Sequence, residues 1–137
     1  LDESGDTLYS GGPANELKIW DVSSGKYLGY ISSIAQRVMS LQVFNDGKSL
    51  LVGDSVNSVF HLDLQNGSKK FNDIEPFPCR ITAVTLSRDA RYLIVAHEDK
   101  RINVWDLRFD SITGSLNGHR SYATTLDVDF SGYILVS

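Results

Sequence analysis

The sequence predicts an all-β protein built from repeated units, because one short motif recurs along it at a nearly constant spacing. Three largely apolar runs end on an aspartate, namely Leu17–Asp21, Val59–Asp63 and Ile102–Asp106, and Trp20 and Trp105 precede that aspartate in the first and third runs. The three aspartates are 42 and 43 residues apart. A period of about 40–45 residues with a Trp-Asp ending is typical of the blades of a β-propeller.

A second landmark keeps the same spacing. In each period a short turn precedes an apolar run, and the turns are Ser4-Gly5, Asp46-Gly47, Asp89-Ala90 and Ser131-Gly132. The runs contain leucines that are 42, 43 and 42 residues apart, namely Leu8, Leu50, Leu93 and Leu135. Two separate landmarks in one phase fix the register of the repeat, which a chance match of one dipeptide would not do.

Each period is filled by short strands rather than by helices. Residues 101–105 alternate polar and apolar side chains, as expected of a strand with one buried face, and residues 38–43 and 81–86 alternate more loosely. Asp46-Gly47 and Asn66-Gly67 separate such runs, and both dipeptides tolerate the positive φ of tight hairpin turns. No stretch keeps a helical period over three turns.

With these motifs the whole chain resembles the WD-repeat family of β-propellers. In that family each blade is a four-stranded antiparallel sheet, a Gly-His pair precedes the innermost strand, and Trp-Asp closes the third strand. Gly118-His119 matches the Gly-His pair. The resemblance implies one propeller domain over residues 1–137, with repeat units of roughly 1–31, 32–74, 75–116 and an incomplete 117–137.

The expected fold is therefore an all-β partial propeller of about three four-stranded antiparallel blades plus an incomplete one. A closed propeller of four to eight such blades needs about 170–340 residues, whereas this chain has 137. We therefore expect a fragment of a larger, seven-bladed propeller. Closure by oligomerisation is the alternative, because an open arc exposes strand edges that invite association.

The resemblance also implies a buried hydrogen-bond network in each blade, formed by His, Ser or Thr, Asp and Trp. By position, the members present here are Ser10, Trp20, Asp99, Trp105, His119 and Ser137. No blade completes the set, since Phe77 takes the His position and Val95 the Ser position of the third blade. An incomplete network leaves Asp99 and Trp105 needing other partners or water.

The net charge, the cysteine count and the length of the apolar runs indicate which partners and which location to expect. A net charge of −4 and a pI of about 5.2 argue against a general nucleic-acid footprint. The one cysteine, Cys79, excludes a disulfide framework within the chain and fits a reducing interior. We expect an intracellular protein of the cytoplasm or nucleus. No apolar run is long enough to span a bilayer, so no membrane partner is expected.

Catalytic constellations are missing from the sequence. His61, His97 and His119 lie at different blade positions without the spacing of a zinc site. Asp127 and Asp129 share one face of a strand but have no third ligand nearby. The interpretation is that this is not an enzyme and that it has no catalytic residue, no metal and no cofactor.

The resemblance points to one surface for partner binding, the rim around the propeller channel. Carried over by register, the candidate rim residues are Arg37, Met39, Arg80, Thr82, Glu98, Tyr122 and Thr124. Arginine, methionine and tyrosine are enriched in interface hot spots, and Arg37 and Arg80 have the geometry to bind a carboxylate or phosphate in bidentate fashion. The alternative is an ordinary solvated rim.

Three functions follow in order of preference. The first is a non-catalytic scaffold that binds partner proteins or peptides in a multi-subunit complex, alongside the rest of its own propeller. The second is an accessory or regulatory propeller domain of an enzyme whose active site lies outside this chain. Binding of nucleic acid or phospholipid ranks last, because Lys69-Lys70 and Lys100-Arg101 are the only adjacent basic pairs and lie on different blades.

Overall fold

The computed structural model describes residues 4–13, 15–32, 36–44, 47–65, 69–70, 78–109, 111–128 and 134–136. Within these ranges the chain forms strands and no helix. The strands are β1 Thr7–Gly11, β2 Leu17–Asp21, β3 Tyr27–Ile31, β4 Val38–Phe44, β5 Ser49–Asp54, β6 Val59–Asp63, β7 Lys69–Lys70, β8 Ile81–Leu86, β9 Tyr92–His97, β10 Ile102–Asp106, β11 Ser111–Leu116, β12 Leu126–Val128 and β13 Ile134–Val136. No helix in the described part is long and apolar enough to cross a membrane.

The strands pair antiparallel with their neighbours in sequence, which gives four separate sheets. The first sheet contains β1–β3, the second β4–β7, the third β8–β11 and the fourth β12–β13. The expected all-β fold of antiparallel propeller blades is confirmed. Turns β5–β6 and β9–β10 lie at one end of the sheets, here called the upper end, and turns β4–β5 and β8–β9 lie at the lower end.

The two sequence landmarks are partners across one pair of strands. Leu8 pairs with Trp20, Leu50 with Leu62, and Leu93 with Trp105, at the same place in three successive sheets. Cross-strand neighbours of this kind lie only about 5 Å apart and stabilise a sheet by direct contact. Because each leucine packs beside the residue that precedes the aspartate, the two landmarks keep one phase along the chain.

Tight turns also recur with the period. At the lower end, Gly5, Gly47 and Ala90 have φ values of 78°, 76° and 52°. Such left-handed backbone suits glycine and strains alanine, so Ala90 departs from the residue type that its turn favours. At the upper end, the turns β1–β2, β5–β6 and β9–β10 each contain one residue with left-handed backbone, and these residues are Asn15, Asn57 and Lys100.

The core lies between sheets rather than within any one of them. Leu17 of the first sheet packs with Leu50 and Leu62 of the second, and Leu51 of the second packs with Leu93 of the third. A further cluster joins the third sheet to Ala123 and Leu126, which lead into the fourth. Each sheet is thus stabilised by apolar surface that it buries against the next one.

The first strands of the second, third and fourth sheets lie side by side, and we call β4, β8 and β12 the inner strands. The free edge of such a strand needs hydrogen-bond partners, and side chains of the neighbouring sheet supply them. Ser40 Oγ accepts from Val84 N at 3.0 Å, and Gln42 Oε1 accepts from Leu86 N at 2.7 Å. Polar side chains on β4 therefore hold β8 in place along the inner face.

Candidate functional site

A polar cleft of about 200 Å³ lies between the inner strands. Its walls are residues 39–42 of β4, residues 82–85 of β8 and residues 124–127 at the start of β12. Three of the seven rim candidates, Met39, Thr82 and Thr124, line it from equivalent positions in the three repeats. Met39 and Thr82 are half-buried and Thr124 is exposed.

Three further candidates stand at the upper end of the cleft. Arg37, Arg80 and Tyr122 come two residues before Met39, Thr82 and Thr124 respectively, and all three are exposed. Tyr122 keeps 49% of its surface accessible. The structure thus places six of the candidate side chains on the successive inner strands or on the residues that lead into them.

The seventh candidate, Glu98, changes the expected role of Arg80. Its Oε1 lies 3.1 Å from Arg80 Nη1, and both side chains are about half exposed. The Glu98 N–H also donates to the Arg80 carbonyl at 2.9 Å. Among the described residues no ion pair involves Arg37, so Arg37 is the candidate cation whose charge is not already compensated by a neighbour.

A cleft contact fixes the third inner strand. Thr82 Oγ1 donates to the Ala123 carbonyl at 2.6 Å, which ties β8 to the segment that enters β12. The hydroxyl that was expected on a partner-binding rim therefore also has a structural function. Ala123 itself is buried, whereas Tyr122 and Thr124 on either side of it are exposed.

His97 is the residue that sequence reasoning missed. It ends β9 and is 2% exposed. Its Nδ1 lies 3.3 Å from the Cys79 carbonyl and its Nε2 lies 3.3 Å from Asn103 Nδ2. Burial lowers the pKa of His97, against the smaller opposing effects of the Cys79 carbonyl and Asp99.

His97 is recognised by its position in the repeat, at the end of the second strand of its sheet, and not by a sequence motif. Asp54 ends β5 at the equivalent place and is also buried, at 6% exposure. Its Oδ1 accepts from the N–H groups of Val56 and Ser58 and closes the β5–β6 turn. A polar residue at the end of the second strand in two successive repeats thus indicates a buried turn anchor.

Asp99 has partners other than the expected network. Its Oδ1 accepts from Arg101 N at 3.1 Å, and its Oδ2 accepts from the Cys79 thiol at 3.4 Å. The hydrogen bond to Asp99, together with burial, raises the pKa of Cys79. Since the thiolate is the reactive form, this environment disfavours Cys79 as a nucleophile.

The other members of the expected network are distributed among different settings. Trp20 Nε1 donates to Ser10 Oγ at 2.8 Å, so these two are joined. Trp105 packs against the core between the second and third sheets. His119 is exposed, and Ser137 lies outside the described residues. The roles assigned to these residues by resemblance stay predictions.

The aspartate that ends each of β2, β6 and β10 has a clear local function. Oδ1 of Asp21, Asp63 and Asp106 accepts from the backbone N–H of Ser24, Gln65 and Arg108 respectively, just beyond the end of the strand. A short carboxylate that binds backbone donors in this way stabilises a turn. The recurrence of aspartate with the period follows from this chemistry at the lower end.

Chemistry for catalysis is not apparent in the described residues, where no group of three or more His, Cys, Asp and Glu side chains is placed to hold a metal ion. Asp127 Oδ1 accepts from Val128 N at 2.9 Å. Asp129, which was considered as its partner, lies outside the described residues, as do the side chains of Lys69 and Lys70.

The fold and the recurring strand-and-turn pattern define a protein of the β-propeller class. A family model described as "WD domain, G-beta repeat" matches residues 74–106, which cover β8, β9 and β10. The chain carries a WD40 repeat and has the blade fold of the WD-repeat family. The family expectation is thereby confirmed.

Curated relatives match most of the chain at low identity. It is 27% identical over 134 residues to autophagy-related protein 16 of Arabidopsis thaliana, with 93% of this chain and 26% of that protein covered. It is 28% identical over 138 residues to transcription factor unc-37 of Caenorhabditis elegans, with 91% of this chain and 22% of that protein covered. It is 26% identical over 118 residues to COMPASS component SWD3 of Saccharomyces cerevisiae, with 77% of this chain and 36% of that protein covered. The chain thus spans about a quarter to a third of these relatives.

Proposed function

We propose that this protein is a non-catalytic interaction scaffold of a larger intracellular assembly, in the cytoplasm or nucleus, and that a partner peptide docks on the upper rim of the inner cleft. The observation that carries the proposal is the convergence of Met39, Thr82 and Thr124 on one polar cleft with Arg37 and Tyr122 exposed at its end. Concave sites with a few convergent polar groups are the usual places for ligand binding.

The contacts suggest what each side chain contributes. Arg37 is suited to a carboxylate or phosphate of the partner, because no described residue neutralises its guanidinium. Tyr122 offers a large exposed ring with a polar tip, a type of side chain that often dominates interface energetics. Arg80 contributes less, since a partner carboxylate has to compete with Glu98 for it.

The relatives support a role in assembly. One of them is named as a component of COMPASS, and others are named as a transcription factor and as an autophagy-related protein. Members of the family generally act as platforms for protein partners rather than as catalysts. The proposal extends that general role to the rim of this chain.

The test is affinity capture from cell extract with the intact protein beside two triple variants. The rim variant carries Arg37→Ala, Arg80→Ala and Tyr122→Ala. The matched control carries Lys26→Ala, Arg88→Ala and Phe109→Ala, which removes two cations and one aromatic ring from exposed positions in turns at the lower end. Thermal melts establish that both variants are folded.

The expected result is a protein that the wild type and the control retain and that the rim variant loses. Single variants then rank the contributions, with Arg37→Ala and Tyr122→Ala weakening capture more than Arg80→Ala. Retention of the same proteins by all three forms would overturn the proposal and place the binding surface elsewhere on the protein.

A further inference from the structure

An asparagine-glycine pair, Asn117-Gly118, directly follows the outermost strand of the third sheet. That strand, β11, ends at Leu116, which pairs with the first residue of the antiparallel strand β10. The pair therefore lies at the upper end of the sheets. Residues 115–122 are all exposed, so Asn117-Gly118 belongs to an open connection that leads from the outer strand towards Tyr122 and β12.

Asparagine is a thermolabile residue, and before glycine it can react with its own backbone. The Gly118 nitrogen attacks the side-chain carbonyl carbon, Cγ, of Asn117 and closes a five-membered succinimide ring. The side-chain nitrogen leaves as ammonia and takes the proton that the Gly118 nitrogen gives up. Water then opens the ring at one of two carbonyl carbons. Opening at Cγ gives aspartate, and opening at the main-chain carbonyl gives isoaspartate.

The attacking nitrogen of Gly118 is unhindered. Gly118 has φ 152°, in a backbone region that favours glycine. A Cβ atom added there would meet nothing within 4 Å beyond its chain neighbours. Neither the Gly118 N–H nor the Asn117 side chain is hydrogen-bonded to another described residue. Ring closure therefore has no described hydrogen bond to break and no described packing to disturb.

The pair Asn57-Ser58 provides the contrast. Asn57 is half-buried in the β5–β6 turn. Its attacking nitrogen, that of Ser58, donates to Asp54 Oδ1 at 2.9 Å, and the same oxygen accepts from Val56 N at 3.0 Å. Asp54 is buried. Ring closure at Asn57 therefore requires the loss of a hydrogen bond to a buried carboxylate, which Asn117 does not require.

We propose that Asn117 is a site of slow, uncatalysed covalent modification in the folded protein, with aspartate and isoaspartate as its products. A neutral amide becomes a carboxylate, so the net charge of −4 becomes one unit more negative. The new charge lies at the same end of the sheets as the rim, and isoaspartate also adds one main-chain carbon to the segment that leads to Tyr122. The reaction needs only water, so it does not depend on partner binding.

The test incubates the intact protein at mildly alkaline pH, in parallel with the same protein unfolded in urea. Thermal melts establish that the first sample is folded at the incubation temperature. Tryptic peptide mapping by mass spectrometry follows each asparagine. Cleavage after Arg108 and Arg120 gives a peptide in which Asn117 is the only asparagine. Asn57 falls in a different peptide together with Asn66, and fragment ions distinguish those two.

The ratio of the folded rate to the unfolded rate at each asparagine removes the effect of the residue that follows it. Asn117 is expected to convert in the folded protein at a rate within about three-fold of the unfolded rate, because an open segment reacts without unfolding. Asn57 is expected to convert at least about ten-fold more slowly in the folded protein, because its hydrogen bond to Asp54 has to break first. Protection of Asn117 as strong as that of Asn57 overturns the proposal.

The products identify the reaction route. Opening of a succinimide gives isoaspartate and aspartate together, whereas direct attack of water on the amide gives aspartate alone. Chromatography of the peptide of residues 109–120 separates the two forms. Asn117→Gln, which keeps the amide but has to close a larger ring, is expected to lose conversion of this peptide over the same incubation. Aspartate alone in the wild type, or equal conversion of Asn117→Gln, shows that the Gly118 nitrogen is not the nucleophile and overturns the proposal.

Discussion

Arg91 donates two hydrogen bonds to Oδ2 of Asp106, one from Nε at 3.0 Å and one from Nη2 at 2.9 Å. The Arg91 guanidinium also lies over the Tyr92 ring, 4.7 Å from its centroid. Burial works to raise the pKa of Asp106, but the hydrogen bonds from Arg108 N–H and from Arg91 outweigh it, and the pKa lies below its ordinary value. The aspartate that closes β10 is therefore ionised and tied to the residue that precedes β9.

Replacing this aspartate is expected to lower the melting temperature more than replacing its counterpart in the first sheet. Asp106→Asn removes the charge that faces Arg91 across the sheet, whereas Asp21→Asn affects a carboxylate whose hydrogen bonds come from Ser23 and Ser24 in its own turn. Thermal melts of the two variants at neutral pH make the comparison. Equal shifts would show that the ion pair adds nothing beyond the turn.

The same aspartate gives a dependence on acid pH. Because the pKa of Asp106 is lower in the folded state, its contribution to stability is present above the unfolded pKa of about 3.9 and is lost as pH falls through the folded value. The stability difference between the wild type and Asp106→Asn is therefore expected to shrink below about pH 4. A difference that stays constant with pH would contradict this.

Ala90→Gly is expected to stabilise the protein. Alanine at φ 52° has a left-handed backbone that costs about 1–2 kcal/mol, and the entropic penalty of glycine is only about 0.5–1 kcal/mol. The free energy of unfolding should rise by about 0.5–1 kcal/mol, as measured by urea denaturation.

The equivalent turn of the second sheet offers the converse control. Gly47 has φ 76°, so Gly47→Ala is expected to destabilise by a similar amount. If Ala90→Gly lowers the denaturation midpoint while Gly47→Ala also lowers it, the turn around Ala90 is stabilised by contacts of the alanine methyl group and the strain argument fails.

Ser10→Ala is expected to cost about 1 kcal/mol of stability, because it removes the acceptor of a partly buried indole N–H. The loss should depend on Trp20. In a Trp20→Phe background no indole N–H remains to be stranded, so the same serine substitution should cost nearly nothing. A double-mutant cycle by chemical denaturation measures this, and additive effects would mean that the 2.8 Å contact contributes no stability.

His97 is expected to make the fold sensitive to mild acid. Its pKa is lowered below the ordinary value of 6.5 in the folded state, mainly by burial. Between the folded and unfolded values the unfolded chain binds more protons, so stability falls as pH decreases through that window. The wild type should lose stability as the pH falls from about 6.5 towards the lower pKa of the folded state, and His97→Gln should lose less.

The groups around the His97 imidazole determine how far its pKa is lowered. Asn103 and the Cys79 carbonyl contact the imidazole, and Asp99 favours the protonated form at a distance. Melting temperatures at several pH values compare the two proteins. If both decline in parallel, the titration belongs to other groups and His97 is not the origin of the sensitivity.

The repeat was predictable from the sequence because its landmarks are neighbours within one sheet. Leu50 and Leu62 pair across β5 and β6, and Leu93 and Trp105 pair across β9 and β10. A short hairpin fixes both members of such a pair, so local sequence is sufficient to set the period, the strand order and the turns. The aspartate that ends each of β2, β6 and β10 is also explained locally, since it binds the backbone of its own turn.

The site depended on contacts between sheets, which the local pattern does not encode. Ser40 binds Val84, and Thr82 binds Ala123, over about 40 residues of sequence. These bonds bring the candidate residues to one cleft. The sequence alone determined a repeated antiparallel blade, because hairpin pairing acts over a few residues. The tertiary structure alone decided that Glu98 neutralises Arg80, that His97 is buried and that Leu51 packs with Leu93 between the second and third sheets, because packing between sheets sets which side chains meet.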